Sequence, residues 1–221
     1  MAAEEITIPV DGVKLGGELQ LPTNAMGLVL FAHGSGSSRH SPRNQAVAQV
    51  LRNAGLGTLL FDLLTTAEEQ AEARTRHLRF DIHLLSRRLA EATRWVLNEA
   101  ISRDLPIGYF GSSTGAAAAL VSAAEVGNAV SAVVSRGGRP DLAEQALERV
   151  TAPTLLIVGG DDTPVIPLNE RAYERLQCEK ALRIISGASH LFEEPGKLGI
   201  VASMAAEWFS TRLQPLAPRK E

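Results

Sequence analysis

The 221-residue chain is predicted to fold as a doubly wound α/β sheet. Three observations point there. Short apolar runs recur along the chain, and most end in a polar or glycine-rich loop. Between them lie segments whose apolar residues return at helical spacing. The runs are apolar throughout rather than alternating, as strands buried on both faces of a parallel sheet must be.

Each element follows in order. ITIPV (6–10) and KLGGELQL (14–21) alternate with period two around Asp11-Gly12, which predicts an antiparallel hairpin at one sheet edge. GLVLFAH (27–33) is a buried strand that runs into HGSGSS. Ser41-Pro42 reads as an N-cap with proline at the first helical position. Val47, Val50, Leu51 and Ala54 supply that helix's stripe, and Gly55 stops it. GTLLFD (57–62) is the next strand, and TTAEEQAEARTRH (65–77) reads as a solvated polar face. Leu78, Ile82, Leu85, Leu89, Ala92 and Val96 mark one face of a long helix.

The alternation continues with strands at 107–110, 129–135, 154–160 and 181–186 and helices at 114–125, 141–149, 168–176 and 197–212. Trp95 and Trp208 fall on helices and are assigned to the core. No repeat, low-complexity stretch or linker divides the chain, so residues 1–221 are expected to form a single domain with a loose tail at 213–221.

Composition removes several function classes. Hydrophobic residues make up 45% and charged residues 21%, which suits a globular protein. The net charge is −3 and no basic run occurs, so the footprint of a nucleic-acid partner is missing. Cys178 stands alone, which rules out an intrachain disulfide and a paired-cysteine zinc site. The N-terminus has no basic and apolar leader pattern, and no apolar run is long enough to span a bilayer. The expectation is a cytoplasmic protein with no metal, no cofactor and no membrane partner.

In open α/β sheets the working residues lie on loops beyond the carboxyl ends of the strands. Gly111-Ser112-Ser113-Thr114-Gly115 occupies such a position and matches G-x-S-x-G, with Ser113 at the centre. It follows a strand and opens a helix, the context this turn requires. The glycines leave room for a sharp bend, and Ala116–Ala119 let the helix approach the sheet. Ser112 is out of register and reads as a neighbour.

A serine hydroxyl needs a base, and the base needs an orienting acid. His190 is the only histidine after Ser113, in GASHLF beyond a predicted strand. The acid should lie between them in chain order. Asp161 and Asp162 in VGGDDTPV both qualify, and Asp162 is preferred for its place past the strand end. The oxyanion donors are expected to be the backbone N–H groups of Thr114 and of Ser35, in the loop His33-Gly34-Ser35-Gly36.

Arg39, Arg136 and Arg139 fall on loops at the same edge. Arg39 and Arg136 are candidates to hold a substrate carboxylate by paired hydrogen bonds, but a structural ion pair is the preferred reading of these loop arginines. His40, His77 and His83 precede the elbow and read as solvated. HGSGSS and GGD lack the lysine and the spacing of a nucleotide loop.

Taken together, HGSGSSRHSPRN, FGSSTGAAAAL, SRGGRPDLA, LLIVGGDD and GASHLFEEPG resemble the α/β-hydrolase superfamily, and within it the dienelactone hydrolase-related branch. Similar sequences also occur fused behind phosphoribosyltransferase-like domains, and no such domain is expected in these 221 residues. The resemblance implies Ser113 as nucleophile, Asp162 as acid and His190 as base. True dienelactone hydrolases carry cysteine at the elbow, where this chain has Ser113, so a serine esterase is the inference.

The segment between the strands at 129–135 and 154–160 is short, which predicts an open cleft without a lid domain and small or chain-like ester substrates. A thioesterase or acyltransferase with the same three residues, and a non-catalytic ligand-binding relative, are the alternatives.

Overall fold

The protein is described by a computed structural model covering residues 3–34, 37–75, 77–100, 102 and 104–213. Ser35 and the expected tail from residue 214 onward lie outside these described residues.

Among the described residues, eight strands form one sheet: β1 (Glu4–Val10), β2 (Val13–Gln20), β3 (Leu28–Ala32), β4 (Gly57–Phe61), β5 (Ile107–Ser112), β6 (Val130–Arg136), β7 (Thr154–Gly159) and β8 (Lys180–Ile185). Their spatial order is β1-β2-β4-β3-β5-β6-β7-β8. The hairpin β1–β2 is antiparallel and joins β4 antiparallel, and every other pairing is parallel. The tight turn sits where Asp11-Gly12 placed it, with φ of 49° and 72°.

The described residues also form six α-helices that cover the sheet: α1 (Pro42–Asn53), α2 (Thr66–Thr75), α3 (Ile82–Asn98), α4 (Thr114–Val126), α5 (Ile166–Arg175) and α6 (Lys197–Arg212). The apolar strand runs have a physical cause. In β3, Leu28, Leu30 and Ala32 enter one core while Val29 and Phe31 enter the other. The first core packs under α3, α4 and α5, through residues such as Leu89, Leu120 and Ala172. The second packs under α1 and α6, through Val47, Leu51, Val201 and Phe209. Two separate cores, one on each face, are what doubly wound means in packing terms.

Ala116–Ala119 are fully buried, so α4 lies directly on the sheet. Tyr109 pins it there: its buried hydroxyl hydrogen-bonds Thr93 of α3 at 2.6 Å and Ser122 of α4 at 3.0 Å. Burial pushes that phenol up to about 12. Trp95 and Trp208 pack against the two cores but remain partly exposed.

Three elements depart from the sequence reading. The helix expected from Leu78 begins instead at Ile82, because Asp81 caps it by accepting the Leu84 N–H at 2.9 Å. Leu78–Phe80 forms a separate 3₁₀ turn. The helix expected at 141–149 is a kinked 3₁₀ segment over Pro140–Arg149, broken at Glu144 with φ 46°. The polar stretch 65–77 is not a bare solvated face. It holds α2, with a capping box at its start: Glu68 accepts the Thr65 N–H at 2.8 Å, and the Glu68 N–H reaches the Thr65 hydroxyl at 3.3 Å.

Candidate active site

The carboxyl ends of β3, β5, β6 and β7 converge on one edge of the sheet. Ser113 sits there between β5 and α4 with φ 51° and ψ −123°, a strained backbone that few side chains adopt. Hydrogen bonds hold the bend. The Ser113 N–H donates to the Arg136 carbonyl at 3.4 Å, and the Ser113 carbonyl accepts from Ala116 at 3.1 Å and Arg139 at 3.0 Å. A Cβ at Gly115 would run into the Ala32 carbonyl, so the elbow needs glycine for the close approach of α4 to β3. Ser112 is buried, and its hydroxyl accepts the Gly34 N–H at 3.2 Å. It ties two loops together and is not presented to the cleft.

Beyond β7, Asp162 Oδ2 accepts a hydrogen bond from His190 Nδ1 at 2.6 Å. The Asp162 side chain is 10% exposed and that of His190 37%. Asp161, the other aspartate considered, is exposed and does not make this bond. With Nδ1–H donating to the carboxylate, Nε2 of His190 is left as the acceptor. The His190 loop is anchored twice: the Ser189 N–H donates to Glu194 at 3.1 Å, and the Phe192 N–H donates to the Ser189 carbonyl at 3.2 Å. Gly137 closes the gap to the elbow. It has φ 50°, and a Cβ there would lie 2.8 Å from the His190 carbonyl oxygen. Ser113, bonded to Arg136, and His190, against Gly137, therefore flank the same turn.

Thr114 is buried at the first position of α4. Ser35, the other expected donor, lies outside the described residues. The residues leading to it are well defined. His33 Nδ1 bonds the Gly34 carbonyl at 3.2 Å, and its Nε2 faces the Leu63 N–H at 3.3 Å. Since Leu63 can only donate, Nε2 carries no proton, and Nδ1–H is the donor to Gly34. Burial pushes the His33 pKa down, consistent with a neutral ring. The sequence reading used His33 only as a loop position. Its place at the end of a buried strand, next to a glycine, was the available signal for this bracing role.

The arginines divide. Arg39 is taken up by Asp62, through its Nη1 and through its own N–H at 2.8 Å, with Glu5 at 3.6 Å. Arg139 is held by Asp141 through two hydrogen bonds of 2.8 Å. Both thus take the ion-pair reading, because each has a carboxylate within reach that sequence spacing did not single out. Arg136 differs. It is 7% exposed, its Nε and Nη1 have no hydrogen-bond partner among the described residues, and burial followed by the nearby Arg43 pulls its pKa down to about 10.

A cavity of about 320 Å³ adjoins the elbow, at the small end for ligand sites. Its lining includes His33, Gly34, Leu64, Leu85 and Thr114, together with a charged wall of Glu69, Glu72 and Arg79 from α2 and the turn after it. Burial, then the neighbouring Asp62, pushes the Glu69 carboxyl up. Sequence reasoning missed this wall altogether. His40, His77 and His83 are exposed.

A family model described as an alpha/beta hydrolase domain matches residues 25–211. The chain belongs to the α/β-hydrolase family. Within it, the chain is similar to a dienelactone hydrolase from Anabaena variabilis, at 60% identity and a TM-score of 0.95, over 96% of this chain and 99% of that one. That likeness places it in the dienelactone hydrolase-related branch. A serine hydrolase without a lid from Xanthomonas campestris shares the fold at 20% identity and a TM-score of 0.76, over 98% of this chain and 97% of the other. A putative phosphoribosyl transferase of Mycobacterium tuberculosis is 52% identical over 210 residues. That match covers 95% of this chain and 46% of the relative, so the chain spans about half the length of the curated relatives it matches. Among the described residues, no helix of this α/β hydrolase is long and apolar enough to cross a membrane.

Proposed function

We propose that this hydrolase cleaves carboxylic esters through an acyl-enzyme on Ser113. The reading rests on one observation above the others: the 2.6 Å bond from His190 to Asp162, beside a serine on a strained elbow. His190 Nε2 takes the Ser113 proton as Oγ attacks the ester carbonyl, and Asp162 stabilises the imidazolium. The tetrahedral intermediate collapses, the C–O bond to the alcohol breaks, and His190 returns the proton to the departing oxygen. Water, activated by the same imidazole, then attacks the acyl-enzyme and releases the acid and free Ser113.

The backbone N–H groups of Thr114 and Ser35 are assigned to the oxyanion. Removing one such donor typically costs about 2.7–4 kcal/mol of transition-state stabilisation. Arg39 is assigned to holding Asp62 rather than to the substrate, since its charge is already used. The connection from β6 to β7 carries only the 3₁₀ segment Pro140–Arg149, which favours an open cleft and small or chain-like soluble esters. The transferase name belongs to relatives about twice this length, and no transferase step is assigned to this chain.

Fluorophosphonate labelling read by peptide mass tests the reading. Wild type should carry the label on Ser113 and turn over short-chain esters. Ser113→Ala should lose both, and His190→Ala should label slowly. Label on Ser112 that survives Ser113→Ala would overturn the assignment. Acyl transfer to added thiol outpacing hydrolysis would move the enzyme to the acyltransferases.

A further inference from the structure

The cavity beside Thr114 has a charge imbalance that the hydrolytic mechanism does not use. Glu69, Glu72, Arg79 and His33 line it, and all but Glu69 are already neutralised or neutral. Glu72 is buried and bonds Arg79 and the Leu78 N–H. Those two charges cancel. Arg39, the other cation in reach, is bonded to Asp62 and lies 3.6 Å from Glu5. His33 is buried and donates and accepts as a neutral ring. Glu69 is left over. Its charged neighbours among the described residues are Asp62, which repels it, and Arg39, which Asp62 already holds.

We propose that Glu69 makes this cavity a selector for esters carrying a cationic group, such as a substituted ammonium, and against esters carrying a second carboxylate. The proposal rests on the hydrolase reading and names the substrate class of that same site. The geometry supports it in three ways. The cavity contacts Thr114, whose N–H is assigned to the oxyanion, so a group bound there lies next to the reacting carbonyl. Its apolar part, Leu64 and Leu85, suits the methylene or methyl shell of an alkylammonium. A carboxylate entering it would meet an uncompensated negative charge in a partly desolvated space, where repulsion is stronger than in water. The unpartnered cation Arg136 does not line this cavity.

The test uses matched esters of one shape and three charges. One series varies the acyl chain of a 4-nitrophenyl ester: 5-methylhexanoyl, 4-(trimethylammonio)butanoyl and glutaryl. A second varies the alcohol of an acetate: 3,3-dimethylbutyl, choline and 3-hydroxypropanoate. In the series whose variable group enters the cavity, kcat/KM should favour the cation over the anion by about tenfold or more at low salt. The ratio should shrink as ionic strength rises. Glu69→Gln should compress it to within about twofold, and Glu69→Lys should invert it. The same compounds titrated into Ser113→Ala by calorimetry should bind in the same order.

Hydrolysis with equal or anion-favouring rates in both series overturns the selector while leaving the hydrolase reading intact. A ratio unchanged in Glu69→Gln overturns Glu69 as its cause. Absence of hydrolysis with every ester sinks the hydrolase reading, and calorimetry with Ser113→Ala then still decides the selector. Cation-favoured binding supports it, and indifferent or absent binding ends it.

Discussion

The two walls of the cleft are built in different ways. On one side, Asp162 and His190 stand on turns that follow parallel strands. Main-chain contacts hold those turns: Asp161 N–H to Ala188 carbonyl at 3.0 Å, Gly160 N–H to Ile185 carbonyl at 2.8 Å, and Gly137 against the His190 carbonyl. On the other side, α2 is fastened mostly by charge. Arg88, 3% exposed, reaches both Glu68 oxygens at 2.7 Å, and Glu72 holds Arg79. Backbone contacts in a sheet vary little with solvent, whereas ion pairs loosen with acid and salt. The groups proposed to react are thus placed by the salt-insensitive part of the fold, and the cavity wall by the adjustable part.

The largest break in that comparison should come from the backbone-built wall. Asp162→Asn should lower kcat by about 10⁴-fold, because the amide supports the wrong imidazole tautomer. It should leave thermal stability nearly unchanged, and Asp161→Asn should keep near wild-type kcat. Steady-state kinetics with a short ester, alongside calorimetric melting, separates the two aspartates.

Next comes the charge-built wall. Glu68→Gln leaves Arg88 buried without its counter-charge and should destabilise the fold by about 2 kcal/mol at neutral pH. The hydrogen bond from Arg88 pulls the Glu68 pKa down to about 2, below its ordinary 4.5. A depressed carboxylate contributes fully above its unfolded pKa and loses that contribution as pH falls through the folded value. The gap between wild type and Glu68→Gln should therefore be widest above about pH 5 and narrow toward pH 2. Urea denaturation across that range reads it directly, and a pH-independent gap would count against the pair as its source.

The smallest effect sharpens the comparison at Arg136. A buried cation with no counter-charge among the described residues pays a desolvation cost that an apolar side chain of similar length avoids. Arg136→Met should hold or raise the melting temperature. A fall in kcat/KM confined to carboxylate-bearing esters would instead give Arg136 a substrate role.

Much of the backbone-built wall was readable from sequence. The parallel strands announced themselves as continuous apolar runs, and the order Ser113, Asp162, His190 followed from which loops end those strands. The preference for Asp162 over Asp161 rested on turn position alone, and the structure has Asp162 hydrogen-bonded to His190. The other wall was less readable because its partners are far apart in the chain. Arg88 sits beside the apolar stripe of α3 and is spent on Glu68, 20 residues earlier. Asp62 takes Arg39 across 23 positions. One local signal was there: Thr65-Thr66-Ala67-Glu68 is a capping box, and it marked the start of α2 inside a stretch that looked merely polar.

The strand order also governs when the chain can act. β2 pairs with β4, so the N-terminal hairpin has no neighbour until residue 61 has been made. Chains emerge from the ribosome at roughly 5–20 residues per second, N-terminus first. The proposed nucleophile at 113 appears well before the proposed acid at 162 and base at 190. On that proposal a growing chain holds an inert hydroxyl from residue 113 until residue 190 has been made. On the proposed mechanism, reactivity arrives only when the last parallel strand, β8, is laid down and its loop brings His190 to Asp162.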